Sequence, residues 1–510
     1  MGSHYIPVGK IKIDKEILDI ACPAAGYSET PPPPEIYCPA KGYYDPNEPL
    51  KYDPDPNLPA AEPGTGEIIL ICTTQLDAAI NVRTNTSTGQ ANYSVYGAND
   101  TLISSQDINS GATFFYEFPA SGGIELESGL EAFKVVITPV TGNLTQFTCV
   151  ALSGWAPLGW PILECHVKCP DLTSFYRAFK DQKYTRLIKF YGEANLLTSL
   201  AEMASGTTNL LECHLPSSLN ALSTMLSAFL NSGVENVNIQ ATSLPALTIA
   251  TNVFRGSKIK LNPFSNIAQL PLLQKMDYGF YQCINLNTPL ILPEMPVGEY
   301  FLGLAQYSSI TKLIFQGVMN GNMTDANSIT NIVSHCMNCI EVVMPTEMTN
   351  LYTFNYTWRN APSLKKITLP DKVVLTNNES SYWFSGVGTS EVSNNIEEVT
   401  ICGDWTTPAA FTFSLTFPKK LKIFNQPTLK VTRMGNVQGG ENLEYFNVDL
   451  SGLDPQYVAY FKNHNFNAAE LERISGQLPV VATGEVDFTG NPGYATFDKT
   501  IAEGKGWTVL

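Results

Sequence analysis

Between residues 67 and 153 the chain alternates apolar and polar positions in short runs: Ile68-Ile69-Leu70-Ile71, Ile80-Asn81-Val82, Tyr93-Ser94-Val95-Tyr96, Phe114-Phe115-Tyr116, Phe133 to Ile137 and Phe147 to Leu152. Runs rich in β-branched and aromatic residues, parted by Gly, Asn, Ser and Asp, predict strands, and their spacing predicts a small β-sandwich over 67–153.

Beyond Trp155 the pattern becomes a repeat of apolar-x-x-apolar-x-apolar. It is clear in Leu210-x-x-Cys213-x-Leu215, Val234-x-x-Val237-x-Ile239, Ile310-x-x-Leu313-x-Phe315, Leu364-x-x-Ile367-x-Leu369, Ile396-x-x-Val399-x-Ile401 and Leu443-x-x-Phe446-x-Val448. Weaker copies centre on Cys165, Ile188, Ile259, Leu290, Val342 and Leu421. The twelve centres are 23, 25, 24, 22, 31, 23, 29, 25, 32, 22 and 25 residues apart, so eight of eleven intervals fall between 22 and 25 and three carry insertions. That is the period of a leucine-rich repeat, in which each coil gives one short strand and a return segment, and neighbours share one core. The expected solenoid runs over 154–450.

If the register is right, the two residues between the first and second apolar positions point outward, and equivalent residues on adjacent parallel strands lie about 4.8 Å apart. Coil by coil they read Ile340-Glu341, Lys365-Lys366, Glu397-Glu398, Lys419-Lys420 and Glu444-Tyr445. Their sign alternates, as stacked charges require. Glu397 and Glu398 are therefore read as rungs of a charge ladder and not as a catalytic carboxylate pair. Upstream coils offer a polar, mildly charged row, Glu212 and His214, then Glu235, Asn236 and Asn238, which suits contact with sugar or protein. Tyr445 joins these as a surface candidate.

Residues 1–66 hold 13 of the 34 prolines, including Pro31-Pro32-Pro33-Pro34. Such a stretch makes neither helix nor central strand and prefers extended conformations. Residues 24–66 are expected to form a strap or linker, and Tyr37, Tyr43, Tyr44 and Tyr52 suit one that lies along a surface. At the other end, 451–510 reads as a cap over the open solenoid. Asp454-Pro455 predicts a helix to Lys462; a second is expected over Asn467 to Gly476, then a strand at Val486-Asp487-Phe488, a short helix around Asp498 to Glu503 and a last strand at Trp507 to Leu510. The fold class is mainly β with short helices.

Charge changes the picture by exclusion. With 31 Lys+Arg against 47 Asp+Glu the formal charge is −16, and no basic run offers a nucleic-acid footprint. No 18-residue uncharged apolar run exists, so no membrane insertion is expected. Met1 to Pro23 is broken by Lys10, Lys12, Asp14, Lys15, Glu16 and Asp19, and no secretory signal is read there. Chemistry is sparse as well. Cys336-x-x-Cys339 beside His335, and Cys165-x-x-x-Cys169 around His166, have the look of zinc half-sites, but Cys165, Cys213 and Cys339 fall on core positions, where Cys serves as a small hydrophobe. The five histidines find no nucleophile elbow, and there is no phosphate loop or dinucleotide fingerprint. The expectation is a non-enzymatic chain with no cofactor and no metal.

The repeat, with the ending Phe488-Thr489-Gly490-Asn491-Pro492-Gly493 and Ile501-Ala502-Glu503-Gly504-Lys505-Gly506-Trp507, resembles the BspA-like leucine-rich repeat proteins of gut Bacteroidetes and their phages over about residues 160–510. An adhesin-like body with no export signal is similar to a phage virion protein, and the plan of N-terminal segment, strap, β-domain and distal repeats resembles a head fibre of a crAss-like Bacteroides phage. The resemblance implies a virion-surface location, a dimer or trimer, capsid or other virion proteins as partners, and a host-surface glycan or protein as the target. It also implies that residues 1–23 dock to the capsid, with Tyr5, Ile6, Pro7, Val8, Ile11 and Ile13 adding a strand to a neighbouring sheet edge. The alternatives left open are a bacterial surface adhesin and, ranked below it, a tail fibre or depolymerase.

Overall fold

The computed structural model describes residues 55–74, 79–127, 129–149, 160–354, 356–358, 360–377, 396–400, 403–413, 416–417, 420–435 and 438–510, and the backbone of four short N-terminal strands, Lys10–Ile13, Glu16–Asp19, Tyr43–Tyr44 and Tyr52–Asp53. Tyr5, Ile6, Pro7 and Val8 lie outside the described residues; Ile11 and Ile13 fall on the strand that pairs antiparallel with Glu16–Asp19. The molecule is mainly β, 4% helical, and most of it is a β-solenoid of about 13 turns.

The sandwich and the solenoid are one structure. Glu67–Thr73 pairs antiparallel with Glu131–Pro139 on one side and with Ile162–Lys168, the first strand of the solenoid, on the other. From Ile162–Lys168 the pairing turns parallel, through Leu187–Phe190 and Glu212–Leu215 to Asn236–Ile239. Gln90–Tyr96 and Leu102–Asn109 extend the other side of the same sheet. The second sandwich sheet, Leu144–Cys149, Ala79–Thr86 and Thr113–Glu117, continues the same way, because Gln146 bridges Ser174 and the bridges run on through Ser199, Thr224, Ile249 and Lys275 to Tyr300. Both faces of the stack thus start in the sandwich, and one hydrophobic core reaches from Ile68 to Trp507.

The register agrees with the repeat pattern at most rungs. Cys165 pairs with Ile188, Ile188 with Cys213 and Cys213 with Val237; further on Leu290, Leu313, Val342, Ile367 and Val399 stand in one row. One centre is corrected. Phe424, and not Leu421, pairs with Phe446. Leu421 is itself buried three residues before Phe424, as Leu443 is before Phe446, so Leu421 takes the first apolar position of the rung and Phe424 its centre. The charge ladder keeps its alternation with Lys422 in place of Lys419-Lys420 at that rung, Lys419 lying outside the described residues. Lys312, Glu341, Lys366 and Glu398 are successive backbone partners, Lys312 Nζ lies 2.7 Å from Glu341, Lys422 lies 3.1 Å from Glu444, and Lys420 turns back to Glu397 at 3.6 Å. A second ladder, invisible in the repeat pattern, runs through Glu347, Lys372 and Asp404 on another face, with Glu347 and Lys372 2.8 Å apart. Exposed pairs of this kind contribute about 0–1 kcal/mol each, so they report register more than they hold the stack.

The return segments are neither helical nor simple loops. Each coil from 175 to 360 makes two corners in the left-handed region, four residues apart: Arg177 and Asp181, Glu202 and Gly206, Ser227 and Asn231, Asn252 and Gly256, Tyr278 and Gln282, Gly303 and Tyr307, Asn331 and His335, Tyr356 and Asn360, with φ from +50 to +73°. Between corners, alternate N–H groups point to the next coil. Phe175, Arg177, Phe179 and Asp181 donate to the carbonyls of Ser199, Ala201, Met203 and Ser205, and Leu200, Glu202, Ala204 and Gly206 donate to Thr224, Leu226, Ala228 and Leu230. A left-handed non-glycine residue costs about 1–2 kcal/mol, and a net hydrogen bond contributes about 0.5–1.5 kcal/mol. Four bonds per coil against two corners therefore roughly offset, and the buried Phe and Leu between the corners tip the balance.

At the C-terminal end the expected helix from Pro455 is not formed. Asp454 accepts from the N–H of Gln456 at 3.0 Å, closing a turn, and Ala459–Tyr460 is drawn into parallel pairing with Gly484–Asp487. The later elements are present: a helix Ala468–Gln477 with Asn467 as N-cap, a short helix Thr500–Glu503, and a last strand Trp507–Val509. Glu470 of the longer helix accepts from the backbone N–H of Phe446 at 2.9 Å.

Candidate functional surface

On a strand, residues two apart share a face. The outward face of the first coils carries one tripeptide twice, Glu164-Cys165-His166 and Glu212-Cys213-His214. In each the Cys points into the core and the imidazole folds back on the carboxylate, with Nε2 to Oε2 distances of 2.8 and 2.9 Å. Lys189 stands between the two histidines in the row, its Nζ 4.7 Å from the centre of the Tyr191 ring. The Tyr191 hydroxyl is 3.0 Å from His166 Nδ1, and its pKa is pushed up to about 12 by burial and by the neighbouring charges of Glu62 and Glu164.

Glu62 belongs to the proline-rich stretch, which from Asp55 onward lies on the sheet. Leu58 and Ala61 pack on Ile69, Ile71 and Leu163, and Asp55 accepts from the N–H groups of Asn57 and Glu127 at 2.9 and 3.1 Å. The last part of the strap is thus built into the body.

The sequence-derived surface residues separate into three groups. Glu212, His214, Asn236 and Asn238 are neighbours in the row, with Glu212 opposite Asn236 and His214 opposite Asn238. Glu212 departs from the expected solvent-facing role, because its carboxylate is buried and held by His214. Glu235 lies to one side, 2.6 Å from Lys260. Tyr445 is several coils away, with the Arg473 guanidinium 4.6 Å over its ring.

The pattern did not reveal a groove where the parallel sheet is interrupted. Asn236–Ile239 ends one parallel run and Leu290–Leu292 begins the next; no strand forms over 257–262, and the interval from Ile259 to Leu290 holds one of the insertions. The gap opens a groove of about 710 Å³ whose walls include Glu235, Lys258, Lys260, Ile284, Asn285, Asn287 and Asn338. Ile284 is 65% exposed. Alongside runs a column in which Arg255 sits 4.9 Å from the Tyr281 ring, Tyr281 meets Tyr307 edge-on at 5.6 Å, and Tyr307 stacks on His335 at 4.5 Å. The only sequence signal was the 31-residue interval itself.

The eight described cysteines are free. Cys165, Cys213 and Cys339 are buried in the core, while Cys283 and Cys336 donate to the carbonyls of Phe254 and Ala305 at 3.0 and 2.8 Å. No three His, Cys, Asp or Glu side chains among the described residues converge closely enough to hold a metal ion, and no described helix is long and apolar enough to cross a membrane. Burial pushes Cys336 up to about 11 and Cys169 and Cys283 up to about 12 from an ordinary 9.0. A thiol whose folded pKa is raised contributes its full stability below the unfolded value and loses it as pH rises through the folded one. Urea midpoints should therefore hold steady up to pH about 9 and fall between about 9 and 12, less steeply in Cys336→Ala than in the parent. An equal alkaline slope in both would show that the thiol does not carry the effect. No family model, curated protein or solved structure matches this chain.

Proposed function

We propose that the chain is a structural and adhesive virion protein of the head-fibre kind, docking to the capsid through its N-terminal segment and presenting its solenoid to a host-surface glycan or protein. One observation carries the reading: a single core unites sandwich and solenoid into one stiff spar, about 60 Å long for 13 coils at strand spacing, with a polar outward row along its first coils. A spar of that kind holds a binding face away from its anchor. The 22–25 residue period and the in-register apolar positions support a leucine-rich-repeat solenoid of the BspA type, in a variant whose return segments turn on left-handed corners. The Ala468–Gln477 helix supports a C-terminal cap, since Glu470 supplies Phe446 with the acceptor that a further coil would otherwise give. Dimers or trimers, and many copies per particle, would turn weak contacts into firm attachment.

The test removes residues 1–54 and retains Asp55, whose bonds to Asn57 and Glu127 anchor the body. The expected outcome is a folded, soluble body that no longer sediments with particles in infected lysates. Incorporation of the shortened chain at the normal level would overturn the docking role.

A further inference from the structure

We infer that the groove at the sheet interruption binds an acidic oligosaccharide, one bearing carboxylates on its sugar rings; this rests on the adhesive reading and names its ligand class. Three features point to that chemistry. Asn285, Asn287 and Asn338 give the groove carboxamides, each both donor and acceptor, which match sugar hydroxyls that are also both. The exposed Ile284 side chain offers the apolar patch against which the C–H face of a sugar ring packs. Tyr281, Tyr307 and His335 stand two or three residues before the groove residues Ile284, Ser309 and Asn338 and form a ring column on the same coils, outside the groove lining itself.

The charge selects the acid. On a chain of net charge −16, an anion is repelled from most of the surface. The groove differs. Its Lys260 is paired with Glu235 at 2.6 Å, whereas the exposed Lys258 has no acidic partner among the described residues, which leaves a positive excess. The groove is open and lies across the coils, so an extended chain fits it better than a compact small molecule.

The experiment uses the full chain and titrates three probes by calorimetry: oligogalacturonate, a neutral glucan oligosaccharide of equal length, and oligoglutamate. The expected result is binding of oligogalacturonate that weakens with salt, with the neutral glucan at least about tenfold weaker. Lys258→Glu should cost about tenfold or more, and Asn287→Ala or Asn338→Ala several-fold; these side chains are exposed, so an unchanged circular dichroism spectrum is expected beside the loss. No binding of oligogalacturonate, equal binding by Lys258→Glu, or oligoglutamate binding as tightly would each overturn the inference. Host-cell binding separates this from the broader reading. Full cell binding by Lys258→Glu sinks the groove and leaves adhesion standing; a parent chain that binds neither cells nor oligosaccharide sinks both.

Discussion

Phe254→Ala is expected to destabilise the solenoid by about 3–5 kcal/mol and to split its unfolding into two steps. Phe254 is fully buried, with ring centres of Phe229, Phe280 and Phe264 at 5.4, 5.3 and 6.1 Å. Those rings come from coils on both sides of it, so the truncation removes contacts within a coil and across two coil interfaces. In a linear stack, stability is close to a sum of coil and nearest-neighbour terms, and cooperativity lasts only while each interface outweighs the difference between the segments it joins. Weakening the middle should let the sandwich with its adjoining coils, and the C-terminal coils, melt separately. Denaturation followed by circular dichroism and by tryptophan emission would show it: four of the six tryptophans, Trp358, Trp383, Trp405 and Trp507, follow Phe254 in the chain, so the fluorescence is weighted to the C-terminal part and should part from the backbone signal. A single transition at a lower midpoint by both probes would mean that coupling through the continuous sheets, and not through the rings, holds the stack together.

How much of this was legible in the sequence follows from which forces are local. The apolar positions facing the core repeat because every coil needs the same interior, so Cys165, Cys213, Val342 and Ile367 could be placed from pattern alone. The register slipped at Leu421, which takes the first apolar position while Phe424 takes the centre, and Ile259 centres no strand. The corners are different. Arg177, Glu202, Tyr278 and Tyr307 carry no preference for positive φ, and coil-to-coil hydrogen bonds impose it on them; Gly206, Asn231, Asn252, Gly256, Gly303, Asn331 and Asn360 hinted at it. The join between sandwich and solenoid depends on Glu67–Thr73 pairing with Ile162–Lys168, a contact across about a hundred residues that no local pattern encodes. The change of texture near Trp155 suggested a boundary where the pairing makes a seam. The groove was missed for a like reason, since an insertion tells where coils part but not which side chains meet there.

Gly233→Ala should cost about 3 kcal/mol, at the upper end for one inserted methyl, while Gly192→Ala should cost about 1 kcal/mol. Gly192 has φ +76° but nothing within 4 Å of an added Cβ, so its penalty is backbone conformation alone. Gly233 shows no positive φ; an added Cβ would sit 2.0 Å from the carbonyl oxygen of Thr208 and 2.6 Å from its carbon, both backbone atoms of the preceding coil. Neither atom can turn aside as a side chain would, and Gly233 donates its N–H to Thr207 at 2.9 Å, which fixes the approach. Relief requires the coils to open, and because their spacing is set by the ladders on the other faces, opening one corner strains those ladders too. Urea unfolding of the two variants separates the causes. A Gly192→Ala penalty equal to or above that of Gly233→Ala would show that backbone conformation, and not the fixed distance between coils, limits what this solenoid tolerates at its turns.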